Sequence, residues 1–166
     1  MKSLLFFHGR EAYRRNSYLI LYTFYKNFLY VITQFYLGFS SAFSGQTFYD
    51  QFIYQLYNIT MTSMPIMWFA TFDFEYERGR EGEEVEEGKK YFMRNPELFA
   101  IGLNRECFSM VIFFKYILYA LWHSWVCYFV GYYCLNQMGH NYMGHEIGLW
   151  MAGMIVYGIC IFVANF

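Results

Sequence analysis

A chain of 166 residues with a formal net charge of -1, 57% hydrophobic and 25% aromatic, is too apolar for an ordinary soluble domain and lacks the positive balance of a nucleic-acid binder. Its four cysteines, Cys107, Cys127, Cys134 and Cys160, show no CxxC spacing, so neither a zinc site nor a disulfide framework is indicated. Apolar stretches alternate with charged ones, the pattern of several membrane spans joined by polar loops.

Residues 1–17 read as a basic, amphipathic cytoplasmic lead-in; Leu4 to Phe7 is too short for the apolar core of a signal peptide, and no small-residue cleavage site follows. Four spans are then expected, roughly Tyr18 to Phe43, Phe48 to Phe72, Phe108 to Leu135 and Ile147 to Phe166, each near the ~20 residues a helix needs to cross. Backbone hydrogen bonding in lipid makes these helices, because four strands cannot close a barrel. The fold class is an all-α membrane protein with two transmembrane hairpins, residues 18–72 and 108–166, around a cytoplasmic loop at 73–107.

Basic residues set the orientation. Lys2, Arg10, Arg14 and Arg15 precede the first span, and Arg78, Arg80, Lys89, Lys90, Arg94 and Arg105 fill the 73–107 loop. The other two, Lys26 and Lys115, lie within spans, while the connections Ser44 to Thr47 and Asn136 to Glu146 contain neither lysine nor arginine. The positive-inside rule places the amino terminus and the 73–107 loop in the cytoplasm. Within that loop, Glu81 to Lys90 reads as a solvated segment, and Asn95-Pro96-Glu97-Leu98 as a turn opening a short helix that carries Phe99, Ile101 and Leu103.

Two spans carry polar stripes. In the first, Thr23, Lys26 with Asn27, Tyr30 and Gln34 recur at helical spacing; in the second, Gln51, Gln55, Asn58, Thr62 and Pro65 do the same. Eight residues beyond Tyr18, Lys26 lies about 12 Å into a core of about 30 Å. A charge at mid-core costs about 2.5–3.5 kcal/mol, so an intramembrane lysine marks a pathway or a binding site by default. Asn58 reaches similar depth on the neighbouring helix, and Pro65, lacking an N–H, frees the carbonyl of Met61 within a turn of Thr62. Lys115, near the start of its span, is placed to snorkel to the interface. His123 is expected to bond across helices.

Other motifs carry less. Asn58-Ile59-Thr60 matches a glycosylation acceptor but lies mid-span. His140 and His145 with Glu146 lack an evident third ligand, so no metal site is assigned.

The words Leu5-Phe6-Phe7-His8-Gly9-Arg10-Glu11-Ala12-Tyr13-Arg14-Arg15, Phe24-Tyr25-Lys26-Asn27, Phe43-Ser44-Gly45-Gln46, Tyr57-Asn58, Thr62, Met64-Pro65 and Phe72-Asp73 resemble the carboxy-terminal membrane region of phospholipid-translocating P-type ATPases, the lipid flippases. Asn95 to Phe99 and Cys107-Phe108-Ser109 are similar to the segment leading into that family's next span. The resemblance implies spans five to eight of a ten-helix membrane domain. It also implies a headgroup path along Lys26, Asn27 and Asn58, to which depth and spacing add Thr62 and the helix break at Pro65. The substrate implied is an aminophospholipid, phosphatidylserine or phosphatidylethanolamine, moved toward the cytoplasmic leaflet of a Golgi, endosomal or plasma membrane, with an accessory subunit as a further partner. Magnesium and ATP would serve the full-length pump. The Asp-Lys-Thr-Gly phosphorylation motif and the nucleotide-binding domain have no counterpart here, so this segment is expected to be a fragment that does not hydrolyse ATP alone. The alternatives are a stand-alone four-span channel or membrane scaffold, and a truncated, non-transporting flippase that binds partner subunits.

Overall fold

The computed structural model describes residues 9–73, 94, 95, 100–138 and 148–166, and the described residues are helices and their connections without strands. In chain order the helices are α1 (Arg10–Ser40), α2 (Gln51–Leu56), a π turn (Tyr57–Met61), α3 (Ser63–Phe72), the short α4 (Ala100–Leu103), α5 (Met110–Met138) and α6 (Leu149–Asn165). The segment Glu81 to Lys90, the turn at Pro96 and the residues His140, His145 and Glu146 lie outside the described residues.

Helix α1 has 31 residues and is therefore about 46 Å long. It runs without interruption from Arg10 through the boundary expected at Tyr18, so the end of the basic lead-in is the first part of the helix itself. Arg15 pairs with Glu11 one turn away at 2.9 Å, and Arg14 reaches Asp73 at the far end of α3 at 2.6 Å, closing the basic end of the hairpin.

The other end of the hairpin is closed by Gln34. Its Nε2 donates to the carbonyl of Gln46 at 3.0 Å, and its Oε1 accepts from the amide of Phe48 at 2.8 Å. The chain reverses through Ala42, Phe43 and Gly45, all at positive φ. Asp50 then caps α2 by accepting from the amide of Phe52 at 2.8 Å.

Helix α1 lies along α5, which packs on α6. From α1 the core takes Leu29, Tyr30 and Leu37; from α6 it takes Ala152, Val156, Cys160 and Ala164, a straight stripe at four-residue spacing. Small residues let these helices approach. A Cβ built at Gly131 of α5 would fall 2.7 Å from Cγ2 of Val156, and one built at Gly153 would fall 2.2 Å from the carbonyl oxygen of Phe48. Tyr30 is sandwiched between Tyr49 and Tyr57, with ring centroids 4.3 and 4.2 Å away. Thr33 donates to the carbonyl of Tyr30 at 2.6 Å, which makes the Tyr49 hydroxyl the donor in its 2.5 Å bond to Thr33.

Large apolar side chains also cover the outside: Phe114, Trp122 and Phe162 are each about 60% exposed, at 60%, 61% and 62%. Such a surface suits lipid or further helices rather than water. Where four spans were expected, one helix, over Met110–Cys134, is long and apolar enough by composition to cross a bilayer among the described residues. Helix α6 is apolar but shorter, α1 is long but diluted by Lys26, Asn27 and its tyrosines, and the second expected span is divided by the π turn.

Candidate functional site

The second span breaks between the π turn and α3, at Thr62, three residues before Pro65. A π turn holds one more residue than an α turn, so side chains after it are rotated by about 100° from the face that α-helical spacing assigns them. Thr62, not Asn58, consequently faces Lys26 across the hairpin. Lys26 is only 5% exposed, and its Nζ donates to Oγ1 of Thr62 at 2.8 Å. Thr62, fully buried, passes the interaction on by donating to the carbonyl of Tyr57 at 2.7 Å. The hydroxyl of Tyr57 returns to α1 and donates to the carbonyl of Lys26 at 3.0 Å, closing a ring of hydrogen bonds between the two helices.

Tyr22, one turn before Lys26, lies beside this ring. The Lys26 ammonium stands 5.9 Å from the centre of its phenol ring, a cation–π distance. The single O–H of Tyr22 is shared between Oδ1 of Asn165, at the end of α6, at 3.0 Å and the carbonyl of Thr62 at 3.3 Å. Nδ2 of Asn165 donates to the carbonyl of Met61 at 3.1 Å. Ser63, the first residue of α3, donates through its hydroxyl to the carbonyl of Asn58. The break is thus lined with hydrogen-bonding groups from three helices, and an ammonium stands at its centre. An ammonium has three N–H donors; one is occupied by Thr62, so the group retains capacity for an anionic ligand.

Over residues 1–166 the chain matches the family described as phospholipid-translocating P-type ATPase C-terminal. It belongs to the phospholipid-translocating P-type ATPases. Relatives include a phospholipid-transporting ATPase of Schizosaccharomyces pombe, 32% identical over 157 residues, which cover 95% of this chain and 12% of the relative. The phospholipid-transporting ATPase DRS2 of Saccharomyces cerevisiae is 32% identical over 165 residues, covering 98% of this chain and 11% of the relative. The human phospholipid-transporting ATPase ID is 34% identical over 132 residues, 80% of this chain and 10% of its own length. The chain therefore spans about a tenth of the length of these relatives and corresponds to the C-terminal region of a flippase.

Of the residues the sequence singles out in this flippase segment, the structure joins Lys26 and Thr62 directly. Asn27 and Asn58 are half-buried nearby, and neither side chain makes a hydrogen bond among the described residues. Gln51 and Gln55 are exposed, and Gln34 is committed to the connection before α2, so the polar stripes are not continuous lines of site residues. Pro65 is exposed in the first turn of α3. Lys115 is exposed, with its Nζ 5.8 Å from the ring of Tyr119. His123 bonds across helices through Nδ1 to the hydroxyl of Tyr25 at 2.6 Å. Of the cysteines, Cys127 and Cys160 are buried and Cys134 is exposed. Spacing alone does not reveal Tyr22, Tyr57 and Asn165, because tyrosine is abundant throughout and Asn165 follows an apolar run.

Proposed function

We propose that this chain is part of the membrane domain of an ATP-driven flippase that moves aminophospholipid, phosphatidylserine or phosphatidylethanolamine, toward the cytoplasmic leaflet. Lys26, Asn27, Asn58 and Thr62 line the path of the headgroup, and the break before Pro65 opens it. The observation that carries this reading is the buried Lys26 ammonium held to Thr62 at a helix break. A phosphate crossing the bilayer needs a positive charge and neutral donors and acceptors at mid-depth, while its acyl chains remain in lipid. Lys26 supplies the charge; Asn27 and Asn58 supply amides whose hydrogen-bonding capacity is not consumed by the described residues. A phosphate oxygen at one of the ammonium's remaining N–H groups is a charged acceptor and makes a stronger bond than the neutral hydroxyl of Thr62 does.

The four-span topology belongs to the same proposal, with the amino terminus and the 73–107 loop in the cytoplasm and the stretches at α1, α2–α3, α5 and α6 crossing the membrane of the Golgi, endosome or cell surface. Among the described residues no three His, Cys, Asp or Glu side chains gather as a metal site. In this reading the magnesium and ATP of the intact pump serve its other domains, and an accessory subunit is a further proposed partner.

The test is lipid-stimulated ATPase activity of the full-length pump carrying Lys26→Ala. The expected result is a loss of stimulation by phosphatidylserine or phosphatidylethanolamine with ATP-driven phosphorylation retained. Unchanged stimulation and unchanged lipid preference would remove Lys26 from the path.

A further inference from the structure

We propose that Asn165 is a positioning residue that takes the place of the backbone donor Pro65 lacks and ties α6 to the Lys26 site; this rests on the headgroup path proposed above. In a continuous helix the amide of residue 65 would bond the carbonyl of Met61, and proline has no N–H to give. That same carbonyl accepts from Nδ2 of Asn165 at 3.1 Å. A carbonyl can only accept and the nitrogen of an amide can only donate, so facing Met61 with Nδ2 fixes the side-chain orientation and turns Oδ1 toward Tyr22. The Tyr22 hydroxyl completes the second arm: its one O–H points at Oδ1, 3.0 Å away, and is shared with the more distant carbonyl of Thr62 at 3.3 Å.

Asn165 therefore engages the Met61 carbonyl, which Pro65 leaves without its helical donor, while the Thr62 carbonyl, at the N-cap of α3, takes the first bond of that helix and shares the Tyr22 hydroxyl. The consequence for the site is chemical. An unengaged backbone carbonyl in a nonpolar setting seeks a donor, and the ammonium of Lys26 stands one residue away, at the side chain of Thr62. By engaging the Met61 carbonyl, Asn165, held in place by Tyr22, leaves the remaining N–H groups of Lys26 for the headgroup phosphate. Loss of Asn165 frees the Met61 carbonyl to compete for the ammonium, which weakens lipid binding without removing the charge.

The experiment uses the full-length pump in phosphatidylcholine vesicles with graded phosphatidylserine and, in parallel, graded phosphatidylethanolamine. Its readouts are the half-saturating lipid fraction and the maximal ATPase rate. Asn165→Leu is expected to raise the half-saturating fraction about fivefold, the worth of one hydrogen bond, and to leave the maximal rate near wild type. Adding Pro65→Ala to the same chain restores an N–H opposite Met61 and is expected to recover most of the loss. A merely structural role would lower the active fraction, and with it the maximal rate, at constant half-saturation. If Asn165→Leu does not accumulate, Asn165→Ser, whose hydroxyl is too short to bridge both arms, is expected to give the same rise. An unchanged half-saturation in these variants, while Lys26→Ala raises it, overturns the role of Asn165 and leaves the lysine site standing. A double variant as impaired as Asn165→Leu overturns the link to Pro65. A wild-type response of Lys26→Ala removes the headgroup path and the positioning role together.

Discussion

Replacing Lys26 with methionine separates function from stability. An ammonium at mid-span costs about 2.5–3.5 kcal/mol on insertion scales, and a hydrogen bond involving a charged group contributes about 1.5–3 kcal/mol. For Lys26, 5% exposed and bonded to Thr62 at 2.8 Å, these nearly cancel, and the balance favours the uncharged side chain. Methionine has similar length, and Thr62 keeps its bond to the Tyr57 carbonyl at 2.7 Å, so Lys26→Met orphans no polar group on the break. The full-length variant should match or exceed wild type in thermal stability, measured by the fraction remaining monodisperse in detergent after heating. Its lipid-stimulated kcat/KM should fall about 10- to 150-fold, the worth of about 1.5–3 kcal/mol for a lost charged hydrogen bond to the phosphate. Parallel losses of stability and activity would show that the lysine is a structural strut, and retained activity would refute the reasoning outright.

Three further substitutions probe the scaffold. Gly153→Ala places a Cβ 2.2 Å from the Phe48 carbonyl and should lower thermal stability by about 1–3 kcal/mol, whereas Gly158→Ala, with nothing within 4 Å, should be tolerated in the same heating assay. Gln34→Leu removes both bonds to the connection before α2 and should cost about 1–3 kcal/mol by the same measurement, with lipid half-saturation unchanged because Lys26 is two to three turns away. For topology, in a background without native cysteines, Ser44→Cys should react with an impermeant maleimide from the exoplasmic side and Asn104→Cys from the cytoplasmic side. Labelling of both from one side would contradict the four-span arrangement.

Much of the fold was legible in the sequence because hydropathy and charge act over long windows. α6 falls within its expected apolar stretch, α5 runs three residues past the end expected at Leu135, and the hairpin connection expected at Ser44–Thr47 lies inside the longer one observed between Ser40 and Gln51. Lys26 stood out for the same reason, as a charge whose location is costly. Helical spacing, however, fixes only which residues share a face of one helix. It does not fix register between helices, and it assumes that each turn has the same length. The π turn at Tyr57–Met61 violates that assumption, so the stripe drawn through Gln51, Gln55 and Asn58 does not continue as one face, and Thr62 meets Lys26. Gln34 illustrates a different limit: a glutamine near a helix end serves equally well as a wall residue or as a clamp for the next turn, and only the fold decides. Asn165 was invisible because its partners, Met61 and Tyr22, lie 104 and 143 positions away in the chain. The proline that leaves Met61 without its helical partner was nevertheless in plain view.

The most direct test of the central claim is photocrosslinking of the full-length pump with phosphatidylserine and phosphatidylethanolamine that carry a diazirine on the headgroup, followed by peptide mapping. The headgroup path predicts adducts on α1 around Lys26 and Asn27 and on the Tyr57 to Thr62 turn, diminished by excess unlabelled lipid. Adducts confined to outward-facing side chains such as Trp122 and Phe162, with none at the break, would contradict it.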